Sequence, residues 1–380
     1  MMLNRYTIVF LLVFSSFVTI LNASAGDVDP HYRSCVRQCE EVGCFRERCF
    51  PNCKASSDGV TIDHPWNMLE SLYVHWKKGN CQNDCQYYCM LNREKERELL
   101  NESPEKYHGK WPFERIYGIQ EPTSMAFSIL NLVMHFHGWM SFSTLLYNKL
   151  PLKAGKRSYY EYASLWHAYG LLSLNCWFWS VIFHIRYCEL MERLENSSTV
   201  VFLGYSLIMA ILRSFNVKDE ATRVMIPAPL ISFVTTHIIY LNSYKLAYEW
   251  NLKVCVLMTV AQLAIWAIWG GLSSHPSRWK LQFVILVSGI ALSLKIYDFP
   301  PYQGLIDAQA LRHGITIPLT YLWWSFIRDD AAFLTYNRLN SKKSNALALF
   351  SHTHTSLYIA TLEKAAPISS PPLSLSLFQL

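Results

Sequence analysis

Between residues 123 and 327 the chain is written as seven apolar runs, each about as long as a hydrocarbon core is thick: 123–147, 160–185, 197–215, 225–243, 252–271, 279–297 and 306–327. No other feature narrows the fold as much. Lipid offers no partner to a backbone amide, so each run must satisfy its own backbone. That leaves helices or a closed barrel, and no run alternates polar with apolar residues as a barrel strand does. The expectation is an all-α membrane protein, a seven-transmembrane helix bundle over residues 121–330. A hydrophobic fraction of 51% agrees with it.

Two segments stand ahead of the bundle. Residues 1–25 carry Arg5, an apolar stretch from Tyr6 to Leu21, and the small residues Ala23-Ser24-Ala25. This is the pattern of a secretory signal peptide, with an uncleaved signal anchor as the alternative. Residues 26–120 hold eight of the 11 cysteines: Cys35, Cys39, Cys44, Cys49, Cys53, Cys81, Cys85 and Cys89. Behind a signal peptide, an even number of clustered cysteines reads as disulfides made in an oxidising lumen, in preference to a zinc knuckle. The pairing stays open. Within this cysteine-rich lumenal domain, NREKEREL is expected to be an exposed helix. Asn101-Glu102-Ser103 is an N-glycosylation sequon within reach of the enzyme, whereas the one at Asn196 sits too close to a span. Cys176, Cys188 and Cys255 are expected to be free thiols.

Charge sets the orientation. With the N-terminal domain lumenal, Lys149, Lys153, Lys156 and Arg157 fall in one cytosolic loop. Lys218, Arg223, Arg278, Lys280 and Arg328 then fall on the same side, as the positive-inside rule asks. The net charge of +6 is thereby explained without a nucleic-acid surface. Residues 331–380, rich in Ser, Leu and Pro, read as a cytosolic low-complexity tail without a clear period. His352 and His354 in it are not taken as a metal site.

The chemistry is concentrated at the lumenal ends of the spans. Ser180 and His184 end the second run, and Gln309 and His313 begin the seventh; each pair is spaced i, i+4 and so shares a helix face. Glu195 and Asp307 lie at the same depth. Polar groups inside spans are expensive and so are functional candidates. Histidines from separate helices can hold a metal with one open position, where a bound water becomes a nucleophile. A carboxylate can take its proton, and a serine hydroxyl can steady an oxyanion. The competing reading of any one such histidine is an interhelical hydrogen bond. That reading is preferred for His135, His137, His167 and His237.

Longer motifs add a resemblance. YHGKWPFERIYGIQEP precedes the first run, SVIFHIR ends the second, and IYDFPPY and DAQALRHGITIPLTYLWWSFIRDDA flank and form the seventh. With these motifs the chain resembles the post-GPI-attachment-to-proteins factor three family, a branch of the CREST membrane hydrolase superfamily, and its spans look most like a plant member. The resemblance covers residues 27 to 333. It implies an enzyme of the Golgi or endoplasmic reticulum membrane that remodels glycosylphosphatidylinositol (GPI) anchors after their attachment to protein. The implied reaction is phospholipase A₂-type: zinc-dependent hydrolysis of the sn-2 acyl ester. The implied partners are GPI-anchored proteins, their anchor lipid and the membrane, with no nucleic acid.

Residue by residue, Ser180 and His184 match the family's Ser-x-x-x-His, and His313 matches the second His of its His-x-x-x-His. The resemblance thus implies Ser180 and Glu195 as catalytic residues, and His184, His313 and Gln309 as metal ligands. Three departures stand out. Gln309 replaces the first His of the pair, Glu195 replaces an Asp, and Arg312 replaces a Trp. They motivate an alternative, a catalytically impaired member that binds anchor lipid or GPI-anchored cargo. A third reading, a seven-span receptor with a disulfide-rich ligand domain, has no motif behind it.

Overall fold

The computed structural model describes residues 25–50, 81–152, 158–243 and 248–364. Apart from Ala25, the signal-peptide segment lies outside the described residues, as does Cys53. The chain is mostly helical, and its one sheet among the described residues is the two-stranded hairpin β1 (Cys44–Phe45) and β2 (Arg48–Cys49).

The N-terminal region is two helices stitched together. Helix α1 (Pro30–Val42) starts where the Asp29 carboxylate accepts the amides of His31 and Tyr32 at 2.7 and 3.2 Å, with Pro30 in its first turn. It ends at Gly43, whose φ of 74° is the left-handed conformation that glycine adopts without strain. Helix α2 (Cys81–Leu99) contains the charged stretch expected to be helical. Cysteines spaced by four lie on one face of each helix, so two bridges form an antiparallel ladder: Cys35–Cys89 and Cys39–Cys85. Cys44–Cys49 closes the hairpin, and Cys81 is disulfide-bonded as well. Cys176, Cys188 and Cys255 are free. Tyr32, Tyr87, Met90 and Tyr107 fill the space around the ladder.

The bundle follows as α3 (Pro122–Thr144), α4 (Ala163–Ile185), α5 (Glu189–Ser214), the short α6 (Glu220–Met225), α7 (Ala228–Ser243), α8 (Tyr248–Leu272), α9 (Arg278–Tyr297) and α10 (Ala308–Lys364). By length and apolar composition five segments suit a bilayer: α4, α5, Glu220–Ser243, Trp250–Leu272 and α9. Helices α3 and α10, which carry the first and seventh apolar runs, fall outside that set. Their inner faces explain why. On α3 the buried positions are Ser124, Ser128, Asn131, His135, Gly138 and Phe142, a polar stripe turned inward. Gly138 is required there, because a Cβ would collide with the Trp324 indole of α10.

The segment after residue 330 corrects the expectation of an irregular tail. Helix α10 runs unbroken to Lys364, 57 residues in all. The physical reason is local: after Pro318 the next proline is Pro367, and residues 331–364 contain no glycine.

One end of the bundle is closed by a buried ion pair. Arg213 of α5 donates to both carboxylate oxygens of Asp330 on α10, with Nε to Oδ2 at 2.9 Å. The Tyr160 hydroxyl donates to Asp330 at 2.7 Å and accepts from the Trp166 indole at 2.9 Å. Aromatic residues pack around it: Phe142, Tyr162, Trp266 and Phe326. The disulfide region sits at the opposite end. Arg186 and Arg115 both pair with Asp84 there, at 3.0 and 3.4 Å, and Lys106 pairs with Asp298 after α9.

Candidate active site

The residues singled out by spacing meet at the end of the bundle that carries the disulfide region. Helix α4 stops at Ile185, just after His184, and its last carbonyls are taken by the segment entering α3. The Gln120 amide donates to the Ile185 carbonyl and the Glu121 amide to the His184 carbonyl, both at 3.0 Å. These carbonyls would otherwise lack partners at a helix C-terminus. Pro122 then starts α3. Helix α10 starts at Asp307, whose carboxylate accepts the Ala310 amide at 2.7 Å. Gln309 and His313 follow on one face.

The resulting cluster is tight. The His184 and His313 ring centroids are 5.3 Å apart and perpendicular. The Gln309 side-chain nitrogen lies 3.4 Å from His184 Nε2. On the other side of that ring, His184 Nδ1 is 2.7 Å from Glu121 Oε2. The pair is close without the alignment of a hydrogen bond, and neither atom has another partner, although both side chains are buried. Ser180 does not touch His184. Its hydroxyl meets that of Ser128 on α3 at 3.1 Å, and Ser128 in turn lies 3.5 Å from His313 Nδ1. Asn131, one turn further along α3, donates to the His313 carbonyl at 2.8 Å. Glu195 accepts from Thr199 at 3.3 Å and faces the same space, but no hydrogen bond or ion pair joins it to either histidine among the described residues.

Two cavities adjoin the cluster. A large one of about 290 Å³ lies among α3, α4, α5, α8, α9 and α10 and is walled mostly by apolar and aromatic side chains. A small polar one of about 70 Å³ lies toward the disulfide region, with Trp111, Glu121, Asp307 and Gln309 in its wall. Glu195, Lys295 and Arg312 line both and so mark the neck between them. His313 and Ser180 face the large cavity. An apolar chamber joined to a polar one has the shape and polarity that suit an amphiphile.

A zinc ion here would draw on His184, His313 and Gln309. Two imidazoles and an amide oxygen form a weaker set than three imidazoles, since zinc sites draw on His, Cys and carboxylate. The guanidinium of Arg312 lies 3.3 Å from His313 Nε2, so a fixed cation stands at the nitrogen a second cation would need. Among the described residues, no group of three or more His, Cys, Asp or Glu side chains is arranged to hold a metal. The residues present do not fit the ion.

The structure brings His184, Gln309 and His313 together, with Ser180 linked to His313 through Ser128, and adds Glu121 and Ser128, which no spacing marks. Glu121 is the penultimate residue of the motif YHGKWPFERIYGIQEP, directly before the proline that opens α3, and nothing in its spacing points to His184. Of the other four histidines of the spans, three make interhelical contacts, whereas His137 is exposed and makes no hydrogen bond among the described residues. His135 meets Trp324 at 3.3 Å, His167 meets Trp139 at 2.9 Å, and His237 meets Asn251 at 3.2 Å.

Comparison with known proteins gives the same picture from another side. The chain is 29% identical over 327 residues to the human "GPI-specific phospholipase A2-like PGAP3", covering 85% of this chain and 94% of that protein. Its Xenopus laevis counterpart is 31% identical over 322 residues, 83% of this chain and 92% of the other. The Schizosaccharomyces pombe "Protein PER1 homolog" is 30% identical over 333 residues, 86% and 92% of the two. The description of the Per1-like family matches residues 71–331, a stretch that holds the whole cluster, and the chain belongs to that family.

Proposed function

We propose that this chain acts on the lipid of GPI anchors after their attachment to protein, as an acyl-ester hydrolase of the sn-2 chain. The observation that carries the reading is an apolar cavity joined to a polar one, with Ser180 and His313 in the wall of the apolar cavity and His184 packed behind them against His313. The names of the relatives support the anchor as substrate. The acyl chain would occupy the large cavity and the headgroup the small one. In this setting His184 is the candidate base, with Glu121 as the carboxylate beside its other ring nitrogen. Ser180 and Ser128 are the hydroxyls available to a developing oxyanion. Glu195 would steady the cationic neck.

The setting of the reaction is part of the proposal. All seven apolar runs would cross the membrane, in the Golgi or endoplasmic reticulum. The disulfide region and the cluster share one end of the bundle. Disulfides belong to the oxidising side, so that end would be lumenal. Asn101, exposed and just past α2, would carry a glycan there. Asn196 would not, because its side chain accepts from Asn251 at 2.9 Å inside the bundle.

A second reading rests on the contact between Arg312 and His313. In it the chain binds anchor lipid, or cargo carrying it, without turning it over. Release of sn-2 fatty acid from a purified GPI-anchored protein separates the two. Release by the wild-type chain, abolished in His184→Ala, is the result expected for the hydrolase. Release by Gln309→His alone would overturn it and leave binding as the function, with zinc content of that variant as the companion measurement.

A further inference from the structure

The depth of the large cavity can be read from its wall. Its lining residues run from Tyr169 to Ser180 on α4, from Cys255 to Trp266 on α8 and from Arg312 to Trp323 on α10. The ends of each stretch are eleven positions apart, so at about 1.5 Å per residue the well is about 16 Å deep. Ser180 and Arg312 stand at its mouth, beside the polar cluster. At the other end the Trp323 ring lies 5.4 Å from that of Trp266 and 6.4 Å from that of Tyr169, and these three form a floor. Trp166 and Phe326 back Trp323 at 5.9 and 5.8 Å, and the Trp166 indole donates to Tyr160 of the buried ion-pair network. The floor therefore rests on the most firmly bonded part of the bundle. In the wall, Thr259, Thr316 and Thr320 donate to carbonyls of their own helices at 2.8, 2.8 and 2.9 Å, which satisfies their hydroxyls without a ligand. Gln262 Oε1 and Trp323 Nε1 are buried without partners among the described residues. An alkyl chain passing them leaves them as they are, so they do not alter the dependence on chain length. Spread over this depth, a volume of about 290 Å³ leaves the width of one alkyl chain, whose carbons touch wall atoms at ~4 Å, and not of two.

We infer that the large cavity measures a single acyl chain, with Trp266 and Trp323 as the stop that sets its length. The inference rests on the reading that this cavity takes the acyl chain of a lipid. A staggered alkyl chain advances about 1.25 Å per carbon, so with the carbonyl at Ser180 roughly 13 further carbons reach the floor. Shorter chains leave part of the well empty and lose contacts with its wall. Longer chains must fold back within a space one chain wide or displace packed indoles, and packed interiors resist both. No bond is made or broken in this step. The stop works by shape alone, which is why its backing by the ion-pair network matters: a floor free to move would measure nothing.

The experiment uses the full chain purified in detergent. The probes are lysophosphatidylinositols with one saturated chain of about 10 to about 20 carbons, a range that brackets the depth of the well. They are offered as one equimolar mixture, and bound species are counted by native mass spectrometry, so partition into the micelle is common to wild type and variants. The expected result for the wild-type chain is an optimum near 14 carbons, with occupancy about fivefold or more lower at the long end. Trp266→Ala lowers the floor and should move the optimum to longer chains by about two carbons or more. Ser288→Phe places a ring midway along the wall that α9 contributes between Leu281 and Lys295, and should move it to shorter chains. Damage to the fold lowers all chains together and cannot move the optimum in opposite directions. If Trp266→Ala fails to fold, Trp266→Leu makes the same test with a smaller shift. Occupancy that does not depend on chain length, or an optimum that stays in place in both variants, would overturn the inference and leave the lipid reading standing. Failure of the wild-type chain to bind any member of the series would overturn the lipid reading and the measuring well with it.

Discussion

The two ends of the bundle hold buried polar clusters of similar size and opposite character. At one end Arg213, Asp330, Tyr160 and Trp166 are linked in an unbroken chain of donors and acceptors, with His275 Nε2 standing outside it, 3.7 Å from Asp330. At the other, Glu121 and His184 lie close but unaligned, and the nitrogens of His313 are shared between a serine and a guanidinium. A buried charge with all its partners fixes helices relative to one another. A buried pair left half-satisfied stabilises little and persists because other contacts hold it in place. The difference separates a clamp from a site without appeal to any relative.

The comparison can be broken at the clamp first. Asp330→Ala strands the Arg213 guanidinium and should lower unfolding stability by ~3–5 kcal/mol, read as a fall in the thermal midpoint of the purified protein. A loss under about 1 kcal/mol would mean that the network is not what closes that end.

Next in size is the disulfide ladder. Replacing Cys39 and Cys85 together by Ser should cost ~2–4 kcal/mol. Hydrogen exchange should then quicken at the Gln120 and Glu121 amides, which bond to the end of α4. Unchanged exchange there would show that the ladder and the site are independent.

The site itself should prove cheap to alter. His184→Leu removes an imidazole whose Nδ1 has no aligned partner, and its effect on stability should stay within ~1 kcal/mol of zero. Release of sn-2 fatty acid should be lost at the same time. A fall as large as that of Asp330→Ala would erase the distinction between the two ends.

Smallest is the surface. Asn101→Gln should leave stability within ~0.5 kcal/mol and remove one glycan-dependent shift in electrophoretic mobility. Asn196→Gln should remove none.

Apolar run length reveals the helices well, and it is weakest at the two helices that carry most of the buried polar cluster. The helices that fall short of a span by composition, α3 and α10, are the two that turn Ser128, Asn131, Gln309 and His313 inward. A polar inner face lowers the very signal used to count spans. Ser180 with His184, and Gln309 with His313, were legible because i, i+4 spacing survives any packing. Glu121 was not, since its partner is 63 residues away and only the meeting of α3 with α4 creates the pair. Arg213 and Asp330, separated by 117 residues, were hidden for the same reason. Cysteine spacing likewise showed the bonded faces of α1 and α2 but not which sulfur meets which.

The two amides that finish α4 also impose an order on assembly. Gln120 and Glu121 leave the ribosome well before His184 and Ile185. Until α4 has been made and laid beside them, these donors have no acceptor in the bundle, and Glu121 has no imidazole. Asp307 and His313 come later still, with the last apolar run. The cluster is thus completed only when the last long helix has been made, and a shortened product ending before residue 307 would keep Ser180 and His184 but lack Gln309, His313 and one whole wall of the large cavity.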